Sequence, residues 1–263
     1  MTPWIRTVSV DGVDCLLAYR NPAGTAKWWG AYAWLSRLPA GCRVTAWSSG
    51  GHGCAVALAA DRLGLHATVA IPRDADPSRI ALLAGTGARV ILCRDLDDAY
   101  RHALDAPGVP VPGFDDVATV AAHGVLWSDV PAGDTVYVPV GGGGLAASAA
   151  LHLGGQRIVA VQHAPATSLA RSLETGRPTP VHPGDAPVAV RVREVGRVPF
   201  EILRTASVTT AEVGPDEVAV ALARLRAVGV DAEPAGAVAF AAARAAGAGV
   251  ALVSGGTPQP EGG

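Results

Sequence analysis

The sequence predicts an α/β fold with mostly parallel sheets. Short apolar runs such as TVYVPV (135–140), RIVAVQ (157–162) and GVALVS (249–254) alternate with helical segments. That is the pattern of strands buried on both faces. Two strand-like runs, RVTAW (43–47) and TVYVPV, end in glycine-rich loops that open a helix, SSGGHG (48–53) and GGGG (141–144). At 263 residues the chain is long enough for one large domain or two lobes around a shared cleft.

The elements follow in order. A helix over 28–38 is stopped by Pro39 and Gly41. After the RVTAW strand and its loop, 54–64 is an alanine-rich helix closed by Gly64, and HATVAIP (66–72) is a strand. Asp76-Pro77 starts a helix through residue 83, with Pro77 in the first turn, where its missing N–H costs nothing. ARVILC (88–93) is a strand and 96–104 a helix; VPVPGFDD (109–116) is a connection, and the segment to 129 is helical. TVYVPV and its glycines lead into a helix ending at His152, then the RIVAVQ strand and a helix over 168–174. Residues 176–199 are proline-rich and irregular. ASVTTAEV (206–213) is a strand, 215–228 and 236–246 are helices, and GVALVS is the terminal strand. The unit 43–93 reads as self-contained, and 105–116 is where the chain crosses back to a second lobe.

Composition excludes several classes. A net charge of −2 with no basic run leaves no electrostatic footprint for nucleic acid or an anionic membrane. Cys15, Cys42, Cys54 and Cys93 form no CxxC pair and share no metal-ligand spacing with the seven histidines. They read as reduced core residues of a cytoplasmic protein. The N-terminus lacks the apolar core of a signal peptide, and the most apolar stretch, 235–253, is split by Arg244 and Gly247.

The chain has 21 Lys plus Arg, of which 20 are Arg, so Lys27 in GTAKWWGA is the sole lysine. A bias towards arginine erodes lysine wherever charge suffices. It does not replace lysine where a neutral amine must attack a carbonyl, because guanidinium stays protonated. Gly141, Gly142, Gly143 and Gly144, followed by Leu145, let backbone N–H groups approach an anion at a helix N-terminus, which suits a phosphate monoester. The run matches neither GxGxxG nor the P-loop. Ser48, Ser49, Gly50, Gly51 and His52 form a second such loop, which either holds a carboxylate or merely caps a helix; His52 reads as a packed structural histidine. Ser254 opens a small-residue loop after a third strand, and Glu233 precedes Pro234 at a helix start, where it also complements the helix dipole. An amine, a phosphate cradle and a carboxylate loop fit pyridoxal phosphate with an amino-acid substrate.

These motifs, in this order, resemble the fold type II pyridoxal-phosphate enzymes, closest to the threonine/serine dehydratase and serine racemase branch. NPAGTAKWWGA (21–31) is similar to N-P-T-G-S-F-K-x-R-G-A, SSGGHG to S-S-G-N-H, VPVGGGGL to the phosphate loop, and EPAGA (233–237) and SGGT (254–257) to E-P-S/A-G-A and S-G-G-N. GFDDVATVAAHG (113–124) resembles the stretch before the phosphate loop. The resemblance implies a two-lobed architecture, with 1–39 and 116–263 as the larger cofactor domain and 40–115 as the smaller substrate-loop domain. It implies that the family's N-terminal helix and first strand region are mostly missing. Gly51 replaces an asparagine that contacts the ring hydroxyl, Ala26 an apolar or aromatic residue, and Trp29 an arginine. Gln162, Ala166 and Ser168 stand where metal-dependent relatives carry carboxylates, so no such metal site is expected.

The resemblance further implies the chemistry. Lys27 holds the cofactor as a Schiff base and, once freed, removes the substrate Cα proton. Gly141–Gly144 and Leu145 hold the phosphate, Ser254 faces the ring nitrogen, and Glu233 and Gly51 lie beside the cofactor. Ser48 to His52 hold the substrate carboxylate, and Ser49 is an acid/base on the opposite face. The expected reaction is α,β-elimination from a small β-hydroxy or β-substituted amino acid, in a cytoplasmic homodimer. β-Replacement and racemisation share every motif. A degenerate, non-catalytic subunit is the rival of another class. Trp28 and Trp29 mark either a reshaped pocket or core aromatics.

Overall fold

The computed structural model describes residues 5–259. It opens with β1 (Arg6–Val10), β2 (Val13–Leu17) and α1 (Lys27–Leu35), followed by β3 (Arg43–Trp47), α2 (Gly51–Leu63), β4 (His66–Pro72) and α3 (Pro77–Ala84). Then come β5 (Arg89–Cys93), α4 (Leu96–Asp105), β6 (Val109–Pro110), α5 (Val117–Ala122) and a 3-10 turn over His123–Trp127. The second half holds β7 (Thr135–Pro139), α6 (Gly144–His152), β8 (Arg157–His163), α7 (Ser168–Thr175) and a 3-10 turn over Val188–Val190. It closes with α8 (Arg197–Leu203), β9 (Val208–Val213), α9 (Pro215–Ala227), α10 (Pro234–Ala246) and β10 (Val250–Val253).

Two sheets organise these elements, as the predicted α/β class requires. The larger has the order β1-β2-β10-β7-β8-β9, and the smaller β5-β4-β3-β6. Every pairing is parallel except β1 with β2. The larger sheet is covered on both faces, and its strands alternate between them. Ala251 and Val253 pack with Val218 and Leu225 of α9 and Phe240 of α10. Val250 and Leu252 pack with Ala146 of α6, Leu169 of α7 and Phe200 of α8. A fully buried leucine such as Leu252 contributes about 2 kcal/mol of transfer free energy. In the smaller sheet, Val44, Val69 and Ile71 pack against α2, Leu83 of α3, and Trp28, Ala31, Trp34 and Leu35 of α1. Trp28 is therefore core, while half-buried Trp29 touches both this cluster and that of α6.

The structure differs from the sequence reading in several places. The chain opens with a hairpin, β1–β2, that the pattern of buried strands does not predict, although Asp11-Gly12 signals it. Both turn residues have positive φ, 50° and 80°, as a type I′ turn demands. Helix α1 ends at Leu35 rather than 38, because Arg37 and Leu38 close tight turns onto Trp34 and Leu35 ahead of Pro39. The loop read over 48–53 is shorter: α2 begins at Gly51. A Cβ on Gly53 would come 2.8 Å from Val69 Cγ1, so glycine lets this turn lie on β4. Val109–Pro110 is a strand on the sheet edge, where a proline forfeits no ladder bond. Helix α8 begins inside the stretch read as irregular, with Pro199 in its first turn. Cys15, Cys54 and Cys93 are buried, Cys42 is half-buried, and all four are free thiols. No helix among the described residues is long and apolar enough to cross a membrane.

Candidate active site

Lys27 is the first residue of α1. The loop before it is built by Asn21, which is fully buried. Its Nδ2 donates to the carbonyls of Ala18 and Thr25 at 3.0 and 2.9 Å, and its Oδ1 accepts from Ala23 N at 3.1 Å. Gly24, at φ 62°, lies so close to the backbone of Gly256 and Pro258 that no side chain fits there. The Ala26 N–H donates to Ser254 O at 2.8 Å. The Lys27 loop is thus laced to the loop after β10, and Lys27 and Ser254 share one cleft.

The glycine run supplies the facing wall. Strand β7 ends at Pro139, and Gly143, at φ 91°, caps α6 without any side-chain hydrogen bond. The first N–H groups of α6 are therefore free for an anion. The run is crowded from behind: a Cβ on Gly141 would come 3.0 Å from Ala189 O, and one on Gly142 would enter the ring of Phe114.

Lys27, Gly141 to Gly144, Leu145, Glu233 and Ser254 all line this cleft, with Thr25, Phe114, His123, Ala189, Val190 and Val192. Together with the open solvent at its mouth, the cleft encloses about 650 Å³. Burial pushes the Lys27 amine below its ordinary value; the Glu233 carboxylate opposes that shift and the Arg79 guanidinium reinforces it. A neutral lysine is what attack on a carbonyl needs.

Ser48 to His52 do not line the same cleft. They form the uncapped start of α2, with Ser48 Oγ accepting from Gly50 N at 2.9 Å and Ser49 half-buried. His52 is buried, with Nε2 3.1 Å from Val111 O, and burial lowers its pKa to about 4. That is a packed histidine. The loop meets the cleft through Thr25: a Cβ on Gly51 would lie 3.3 Å from Thr25 Oγ1. Glu233, at the N-cap of α10, makes no cap bond and instead pairs with Arg79 at 3.1 Å.

Sequence reasoning missed Arg79, His123, Thr25 and Phe114. No local signal marks Arg79 in PSRI; His123 and Phe114 lie in a segment noted only for its resemblance. At the expected metal-free position, Gln162 satisfies itself by donating to Ala166 O and accepting from Ala170 N. The fold also brings ligand atoms of Cys93, Asp98 and His102 within 4.8 Å of one another, which spacing had not suggested. Asp98 is already engaged there by Arg94 and Arg101.

An amine for a carbonyl and bare backbone donors for a phosphate, set in one cleft of an α/β fold, define a cofactor-dependent enzyme scaffold. The chain belongs to the family of pyridoxal-phosphate dependent enzymes, whose profile matches residues 8–255. It is 34% identical over 254 residues to an L-threonine ammonia-lyase of Thermotoga maritima, covering 89% of this chain and 63% of that protein. It is 32% identical to a biosynthetic L-threonine dehydratase of Haemophilus influenzae, covering 84% and 47%. A processed threonine deaminase isoform of Solanum lycopersicum superposes with TM-score 0.86 at 26% identity, covering 94% of this chain and 80% of that one. The chain thus spans about half to two thirds of the length of these curated relatives.

The cleft fits the family's cofactor. The uncapped α6 terminus, the free donors of Gly143 and Gly144, and an amine shifted towards neutrality are the donor set that pyridoxal phosphate requires.

Proposed function

We propose that this chain catalyses α,β-elimination of a small β-hydroxy or β-substituted amino acid to a 2-oxo acid and ammonia, as a pyridoxal-phosphate ammonia-lyase. The carrying observation is the only lysine of the chain opening a helix across one cleft from the bare glycine run. When bound, the cofactor supplies an electron sink for a carbanion at Cα. The chain's own groups do the rest. Lys27 anchors the cofactor and, as a neutral amine, takes the Cα proton. The N–H groups of Gly141 to Gly144 and Leu145 hold the phosphate. Ser254, which lines the same cleft, would offer the ring nitrogen a neutral hydroxyl rather than a charged partner. Ser48, Ser49, Gly50, Gly51 and His52 would receive the carboxylate through the backbone at the start of α2, and the Ser49 hydroxyl would serve as a second acid/base. In net terms the Cα proton and the β-hydroxide leave as water, and the released enamine takes up water to give the 2-oxo acid and ammonia.

The larger cofactor domain comprises 1–39 and 116–263, and the smaller one 40–115. The division is supported by one sheet drawn from 6–17 and 135–253 and another from 43–110. The free cysteines support a cytoplasmic setting, and the family resemblance supports a homodimer.

An absorption spectrum with pyridoxal phosphate, beside Lys27→Ala, tests the reading. A visible band present in wild type and lost in the variant, with 2-oxo acid released from β-hydroxy amino acids, is the expected result. A band with only the enantiomer released selects racemisation, and product only with added thiol selects β-replacement. Absence of the band rejects the enzyme.

A further inference from the structure

The roles above leave one buried titratable group of the cleft unused. His123 begins the 3-10 turn after α5, is 2% exposed and lines the cleft with Lys27, Thr25 and Ala26. By distance and angle neither ring nitrogen completes a hydrogen bond within the protein, although the backbone of Thr119 and of Ala26 lies close enough to the ring to oppose the fall in its pKa. Native proteins rarely keep a buried imidazole with both nitrogens unsatisfied unless a ligand or a moving group completes it.

The fold makes room for this ring. A Cβ on Gly30 would come 2.6 Å from His123 Cε1 and 3.1 Å from Nε2, so glycine on α1 admits the imidazole. Gly30 stands three residues after Lys27. Positions three apart share a helix face with Cβ atoms about 5–6 Å apart, a gap the four-carbon lysine stem covers. Burial, with the Lys27 charge adding to it, lowers the His123 pKa to about 4, so the ring is neutral at working pH. The other groups facing Lys27 are committed: Glu233 and Arg79 pair with each other, and His52 is bound to Val111 O.

We propose that His123 is a positioning residue for Lys27: its unprotonated ring nitrogen accepts a hydrogen bond from the Lys27 amine whenever that amine is not attached to the cofactor, aiming the amine's lone pair into the cleft. This rests on the reading of Lys27 as both anchor and base. A free amine has two N–H groups and one lone pair, and pinning an N–H on the imidazole leaves the lone pair for the substrate Cα. Once the amine has taken that proton, the same acceptor stabilises the ammonium.

The single lysine makes the test direct. Isotopic labelling of lysine gives one side-chain amine resonance in the cofactor-free protein, and its titration midpoint is read by NMR. An acceptor favours the charged form, so His123→Leu lowers the midpoint by about one pH unit, and His123→Gln, whose amide oxygen accepts, restores most of it. An unchanged midpoint in His123→Leu, or equal shifts in both variants, overturns the proposal. Should the variants fail to fold, labelled histidine in the wild type decides: the His123 ring signal moves when pyridoxal phosphate occupies Lys27, and a stationary signal overturns the proposal. Loss of the Lys27-dependent visible band would reject the cofactor reading itself, whereas a normal band with an unmoved midpoint rejects His123 alone.

Discussion

Arg79 Nη2 lies 3.1 Å from Glu233 Oε2, and this pair ties α3 beside the smaller sheet to the start of α10 on the larger one. The same guanidinium donates to Ala23 O at 2.7 Å, Gly24 O at 3.3 Å and Gly256 O at 3.2 Å. Arg79 is 6% exposed, whereas the Glu233 side chain is 32% exposed. Arg79→Met strips three carbonyls and a carboxylate of their donor. The expected loss is about 3 kcal/mol, held below the top of the range for buried pairs by the hydration left to Glu233. Arg79→Lys recovers less than half, since an ammonium does not present the planar fork that reaches these acceptors together. Urea midpoints of the three proteins measure both effects, and an unchanged midpoint in Arg79→Met refutes the clamp.

His52 and His123 set an acid limit on stability. Each is held neutral at a pKa of about 4, chiefly by burial, against 6.5 in the unfolded chain. Between those values the unfolded state binds more protons, so their contribution is complete above pH 6.5 and is lost as pH falls towards 4. Each histidine accounts for up to about 3 kcal/mol of that loss. Denaturation at pH 7, 6 and 5 should show the decline in wild type and a shallower one in His52→Asn. Parallel curves would mean that His52 does not carry it.

The strands and the cleft-lining glycines were legible because their signals are local. An apolar run followed by four glycines reports its own chemistry. The site's polar frame was not legible, because it is made by distance in the chain. Arg79 meets Glu233 across 154 positions, and His123 meets Gly30 only after two helices pack. The Asp11-Gly12 turn is a local signal as well, but β1 is an antiparallel edge strand with exposed residues, outside the buried parallel pattern that marks the other strands. Asp11 also accepts from Arg224 and Arg244, which hold its pKa down to about 2, a long-range contact that spacing does not reveal.

Gly143 should resist any side chain. Its φ of 91° disfavours L-residues, and a Cβ would stand 2.9 Å from both Pro199 Cβ and Val195 Cγ2. Gly143→Ala combines left-handed strain with overpacking and should cost about 2–4 kcal/mol. Because the strain falls where α6 presents its free N–H groups, pyridoxal phosphate should bind at least tenfold more weakly. Gly154→Ala, with open space around it, serves as the control in the same titration. Equal affinity in both variants would remove the glycine run from the phosphate site.

Gly51 and Thr25 should behave as one unit. This chain has glycine at 51, and the space a side chain there would enter already holds Thr25: Oγ1 at 3.3 Å, Cβ at 3.4 Å and Cγ2 at 3.6 Å from the Cβ position. Thr25 is 6% exposed, and its Oγ1 accepts from Lys27 N at 3.3 Å, so it has little freedom to retreat. Gly51→Asn alone should therefore destabilise by about 1–3 kcal/mol through overpacking. Thr25→Ala alone should cost about 1 kcal/mol through the lost hydrogen bond. Combined, the alanine vacates the space the asparagine needs, so the double variant should be less destabilised than the sum by about 1 kcal/mol or more. A double-mutant cycle from denaturation midpoints reads that coupling. Additive losses would mean that the two side chains do not compete for one space, and that Gly51 was fixed by the backbone at the start of α2 rather than by Thr25.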